Sequence, residues 1–124
     1  MSVPLLPNSN ELQHIRIRDA IRRLDAHSHL PITSNLAHEL VADLFDAVVP
    51  HLELERQLLA RISPLNEHWG SYEQHSVMVM EAVVKLCGKA MSNCTESIGA
   101  TLPELRRLID EHITHPIHVV LVNR

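Results

Sequence analysis

Aromatic residues are almost missing from this chain of 124 residues, which has one Phe, one Trp and one Tyr. A core built without them must take its volume from Leu, Ile, Val, Ala and Met, a mixture better suited to helices than to a sandwich of short strands. Glycine is scarce too, at three residues, so few of the turns that punctuate an all-β chain are available. No apolar run approaches the roughly 20 residues needed to span a bilayer. Met1 to Leu6 carry no charged segment leading into an apolar stretch, so no secretory signal is expected. Basic blocks are also absent: 11 Lys and Arg are spread along the chain against 15 Asp and Glu, for a net charge of −4. That leaves no electrostatic footprint for nucleic acid. The two cysteines, Cys87 and Cys94, would lie about 10 Å apart on one continuous helix, too far for a disulfide. Reduced thiols in a cytoplasmic protein are the expectation.

What the chain has in excess is histidine, with ten residues and no tag-like run. Their places follow from a pass along the sequence. After a Pro-containing arm over residues 1–8, Ser9 and Asn10 offer helix caps, and Leu12, Ile15, Ile17, Ile21 and Leu24 recur at helical spacing, predicting a first helix over 9–27. Pro31, Thr33, Ser34 and Asn35 mark a connection and a new start, and a second helix is predicted over 35–62. Ser63-Pro64-Leu65-Asn66 ends it; a third helix is predicted over 67–93, with Gly88 tolerated inside. Cys94 to Thr101 form the next connection, and a fourth helix is predicted over 102–122, with Pro116 as a kink. Residues 9–124 thus read as a single all-α domain, an up-down-up-down four-helix bundle.

Steps of three and four residues then pick out the face each helix turns to its neighbours. They give His14, Ile17, Ile21 and Leu24 on the first helix, and Val41, Leu44, Val48, His51, Glu55, Leu58 and Ile62 on the second. The third gives His68, Tyr72, His75, Val79, Ala82 and Leu86, and the fourth Leu105, Leu108, His112, His115, Val119 and Val122. Every predicted helix brings histidine into its apolar seam. His14, His51, His75 and His112 also fall at matching heights, because each consecutive pair is centred on or beside the connection that joins it. Imidazoles converging in an apolar interior are costly unless their nitrogens are satisfied, and a metal ion does that. His51 and Glu55 are one turn apart and can offer two donors to one site. By the same reasoning His27, His29 and His38 are loop or surface residues, and His118 lies off the fourth seam. Leu40, Leu52 and Leu59 form a stripe that either serves a homodimer or is covered by a neighbouring helix.

The run Phe45-Asp46-Ala47-Val48-Val49-Pro50-His51-Leu52-Glu53-Leu54-Glu55, with His14 before it and His75 and His112-Ile113 after it, resembles the hemerythrin-like (HHE cation-binding) domain. The resemblance runs over nearly the whole chain. It implies a four-helix bundle with a non-haem di-iron centre, two irons per chain, held by His14, His51, Glu55, His75 and His112. His115, Tyr72 and His68 stand on the same seams as possible additional ligands. It further implies binding or sensing of dioxygen or a related small molecule, nitric oxide or peroxide, with turnover of the last two as the enzymatic variant. Where that family places a second bridging carboxylate on its fourth helix, this chain has Pro116 and Ile117. The alternative is a zinc-bound or metal-free four-helix interaction or regulatory module, with a protein partner.

Overall fold

Helix α1 (Ser9–Ala26) turns Ile17, Ala20, Ile21 and Leu24 inward at the spacing read from the sequence. The computed structural model describes residues 9–62 and 65–118. The expected arm over 1–8 and the far end of the predicted fourth helix, 119–122, lie outside the described residues. Arg23 on α1 reaches Asp43 on the next helix at 3.1 Å, an exposed pair that adds little to stability. The helix gives way to a turn at His27, and the Ser34 hydroxyl opens the next helix by accepting from the Ala37 N–H at 3.2 Å.

Helix α2 (Asn35–Ile62) is the longest and continues through Pro50. Its buried face carries Val41, Leu44, Val48, Leu52 and Leu59. Leu40, Leu52 and Leu59 are all covered within the chain, so the apolar stripe is not a free surface. Helix α3 (Trp69–Ala90) buries Tyr72, Val79, Val83, Leu86 and Ala90. A short helix α4 (Ile98–Thr101) lies within the connection expected over Cys94 to Thr101; the Ser97 hydroxyl caps it by accepting from the Ala100 N–H. Helix α5 (Pro103–Ile113) begins on its proline and buries Leu105, Leu108, Ile109 and His112. Helix α1 packs on α2, α2 on α3 and α3 on α5, while α4 touches both α1 and α5. The protein is all-helical among the described residues, with one isolated backbone bridge between Pro31 and Ser97. None of these helices is long and apolar enough to cross a membrane.

That bridge ties two connections together at one end of the molecule. Ile32 N–H donates to the Glu96 carbonyl at 2.9 Å, Ile98 N–H to Leu30 at 2.8 Å and Gly99 N–H to Ser28 at 2.9 Å. Gly99 eases this approach, since a Cβ there would sit 3.0 Å from the Ser28 Cβ and push it back. Beneath these loops lies the larger apolar cluster, which includes Leu24, Ile32, Leu44, Val83, Ile98 and Leu102. A much smaller cluster of Leu59, Tyr72 and Ile117, with Trp69 against it, sits toward the other end.

The clearest departure from the expected order concerns the fourth predicted helix, which is interrupted after Ile113. It stops at Ile113, where the Thr114 N–H and hydroxyl both turn back to the Asp110 carbonyl. Pro116 has no N–H to offer the His112 carbonyl, which instead accepts from the His115 N–H at 3.2 Å. A turn over 114–117 follows, and Ile117 and His118 are both buried.

Candidate metal centre

Between the two apolar clusters lies a polar interior organised around one carboxylate. The Glu55 side chain is 0% exposed. It projects from the C-terminal half of α2, one turn beyond His51, and each neighbouring segment turns a polar side chain toward it. Helix α1 supplies His14, α3 supplies Tyr72, α5 supplies His112, and the turn after α5 supplies His118. All four are buried, as are Glu55 and His51.

The contacts divide between the two carboxylate oxygens. Glu55 Oε1 accepts from the Tyr72 hydroxyl and lies 3.0 Å from His112 Nε2. On the other side Oε2 lies 2.8 Å from His118 Nε2, 3.3 Å from His51 Nε2 and 3.5 Å from His14 Nε2. The Nε2 atoms of His14 and His51 have no hydrogen-bond partner, although both are buried. Edge-on packing brings the rings of His14 and His51 to 4.8 Å and those of His112 and His118 to 5.1 Å between centroids.

The far nitrogens show which tautomers the fold holds. His118 Nδ1 donates to the backbone carbonyl of His115 at 3.2 Å, and His51 Nδ1 donates to the side-chain carbonyl of Gln13 at 2.5 Å. A neutral imidazole has one N–H, so both rings then present an Nε2 lone pair to a buried carboxylate oxygen. The contact is favourable only with positive charge between ring and carboxylate, supplied by a second ring proton or by a bound cation.

Charge follows the same geometry. Burial alone would raise the Glu55 carboxyl, but the imidazoles of His112, His118, His14 and His51 outweigh it and hold the group well below the usual carboxylate range. Burial lowers His14 and His112, favouring their neutral, metal-ligating form, against the pull of Glu55 in the other direction. Burial, and next the Glu55 charge, keep Tyr72 protonated, so its hydroxyl serves as a donor.

One donor atom each from His14, Glu55, His112 and His118 lies within 4.8 Å of the others. Donors around a first-row metal at ordinary bond lengths stand roughly 3 to 4.3 Å apart, so a small inward movement closes the set on one ion. These residues could hold a metal, and His51 adjoins them through the same Glu55 oxygen.

Of the five ligands implied by the resemblance, the structure gathers His14, His51, Glu55 and His112 and leaves His75 aside. His75 sits on the flank of the α3 stripe defined by Tyr72, Val79, Val83 and Leu86. There it is half-buried, with Nε2 3.5 Å from Glu111 Oε1. Among the additional candidates, Tyr72 reaches Glu55 as a hydrogen-bond donor. His115 is buried, but its nitrogens are engaged elsewhere: Nδ1 accepts from the Ile117 N–H at 3.1 Å and Nε2 donates to the Ser71 hydroxyl at 2.6 Å. His68 is substantially exposed and lies beside Glu67. The sequence reading placed His118 off the seam. On a continuous helix it would be, but the stop before Pro116 returns it to the centre. The proline was the signal, had it been read as an end rather than a kink. Among the described residues, Glu55 is the one carboxylate of this cluster, so the donor set does not provide the two bridges of a di-iron centre.

No family model, curated protein or solved structure is significantly similar to this chain.

Proposed function

We propose that the chain is a hemerythrin-like, up-down-up-down four-helix bundle that holds one non-haem iron per chain and binds or senses dioxygen, nitric oxide or peroxide. The observation that carries this reading is the pair of histidines, His51 and His118, whose Nδ1 protons are taken by carbonyl oxygens while Nε2 faces the buried Glu55 carboxylate. Metal-ligating histidines are held in this way, with the far N–H fixed by an oxygen and the near nitrogen left free to coordinate. Imidazole with carboxylate suits iron or zinc, and excludes calcium and magnesium as resident ions. Iron in such a site supplies a redox-active, Lewis-acidic centre for a small ligand. The protein's part is to exclude bulk water, to fix the histidine tautomers, and to keep a Tyr72 hydroxyl proton on Glu55 Oε1.

Titrating the apo-protein anaerobically with ferrous iron, then admitting air or nitric oxide while recording the absorption spectrum, tests this reading. Saturation near one iron per chain, followed by new near-ultraviolet and visible bands, is the expected result. Iron uptake without a spectral response to either gas would remove the sensing function. A failure to bind iron would remove the centre itself. Turnover of peroxide or nitric oxide by the loaded protein would make it an enzyme rather than a binding protein.

A second reading, a zinc-bound or metal-free regulatory module, draws on a different observation. Glu55 Oε1 already has Tyr72 and His112 as partners, so half of the carboxylate is satisfied without an ion. This version expects zinc or no metal in the isolated protein and no response to oxygen.

A further inference from the structure

Gln13 is a half-buried residue immediately before His14 on α1, and the reading above uses its amide only as the acceptor of one ring proton. Its position is nevertheless unusual. While the His14 ring enters the centre, the Gln13 carbonyl oxygen reaches across to α2 and receives the His51 Nδ1 proton at 2.5 Å. For His118 the equivalent proton goes to a backbone carbonyl, which no substitution can remove. For His51 it goes to a side chain. Without that acceptor the ring is free to place its single proton on Nε2, where Glu55 Oε2 at 3.3 Å would take it as a hydrogen bond and the nitrogen could no longer bind a metal.

We propose that Gln13 is a positioning residue of the metal centre: by holding the His51 Nδ1 proton it keeps the Nε2 lone pair directed inward and makes His51 the fifth protein donor, beside His14, Glu55, His112 and His118. The consequence is a set of five protein donors rather than four on the ion the centre takes, which leaves one position open on a six-coordinate metal.

This role rests on the metal centre proposed above, and the experiment separates the two. Zinc is the probe because it is diamagnetic. Wild type, Gln13→Leu and Gln13→Glu are labelled with 15N-histidine and loaded with zinc, and affinity is measured by competition with a chelating dye. In wild type the His51 signals should show a protonated Nδ1 and a metal-bound Nε2. Gln13→Leu should weaken zinc binding about 10- to 100-fold, the range for losing the hydrogen-bond partner of a metal ligand, with the fixed Nδ1–H signal lost. Gln13→Glu, which restores an acceptor, should recover both. Unchanged circular dichroism in the variants shows that the fold is intact. A wild-type His51 protonated on Nε2, or a Gln13→Leu protein with unaltered affinity and His51 signals, overturns the Gln13 role alone. Wild-type protein that takes up no zinc overturns the metal centre and the Gln13 role with it.

Discussion

The two halves of this molecule are built from the same helices but solve opposite problems. Toward the bridged loops, Leu24, Leu44, Val83 and Leu102 are fully or nearly fully buried against one another, and the only requirement is volume. Around Glu55 the same helices and the turn after α5 bring four imidazoles and a phenol to that carboxylate, in the space where apolar side chains would otherwise sit. The first half derives its stability from apolar burial. The second holds groups whose desolvation is repaid only if every nitrogen and oxygen finds a partner. The histidines follow the division. His27, His29 and His38, near the loop end, are half-buried or exposed, and His27 and His38 bond to the Arg23 and Ala90 carbonyls. In the other half, His14, His51, His112 and His118 enclose Glu55. A fold with its stability in one half can tolerate a costly site in the other.

The contrast is open to direct attack. The largest effect is expected from Glu55→Ala, which removes the common partner of the imidazoles: metal binding should fall below detection in an equilibrium dialysis assay. Leu44→Ala, in the apolar half, should cost about 2–5 kcal/mol of stability in urea denaturation and leave metal affinity unchanged. Equal losses of metal in both variants would erase the division. A finer comparison sets His118→Ala against His75→Ala. The first removes a donor 2.8 Å from Glu55 Oε2 and should weaken binding by at least tenfold, whereas the second removes a flank residue and should leave titration calorimetry unaltered. Pro116→Ala restores an N–H where the helix stops, and should lower affinity by drawing His118 back toward the helical path.

Acid should also separate the halves, more gently. His14 and His112 are lowered from an ordinary 6.5, so the unfolded chain takes up protons that the folded protein resists. Their contribution to stability is present above about pH 6.5 and is lost as pH falls toward their folded values. Glu55, held below the usual range, works in the same direction below about pH 4.5. The melting temperature of the apo-protein should therefore fall between neutral pH and about pH 5, and bound metal should reduce that fall. A flat profile would mean that these histidines are not held neutral by the fold.

How far the sequence could be read follows from the same division. The α1 face of His14, Ile17, Ile21 and Leu24, and the α2 face through Val41, Leu44, Val48, His51 and Glu55, were legible because each is an unbroken run of three- and four-residue steps on one continuous helix. His75 was misplaced by that method: two steps, of three and of four residues, lead on from Tyr72, and neither sits squarely on the buried face. Helix α4 was missed because four residues are too few to show periodicity. His118 was hidden because its position depends on the turn over 114–117, and periodicity has nothing to say once a helix ends. The Gln13 contact was out of reach altogether, since a residue before a seam histidine reads as a flank position until the facing helix is in place.

The most direct test of the central claim is X-ray absorption at the metal edge of the iron-loaded protein. A first shell of nitrogen and oxygen at about 2.0–2.2 Å, with imidazole scattering and no neighbouring metal, is expected for one ion held by His14, His51, Glu55, His112 and His118. A second metal at about 3.5–4 Å, or a first shell without imidazole, would contradict it.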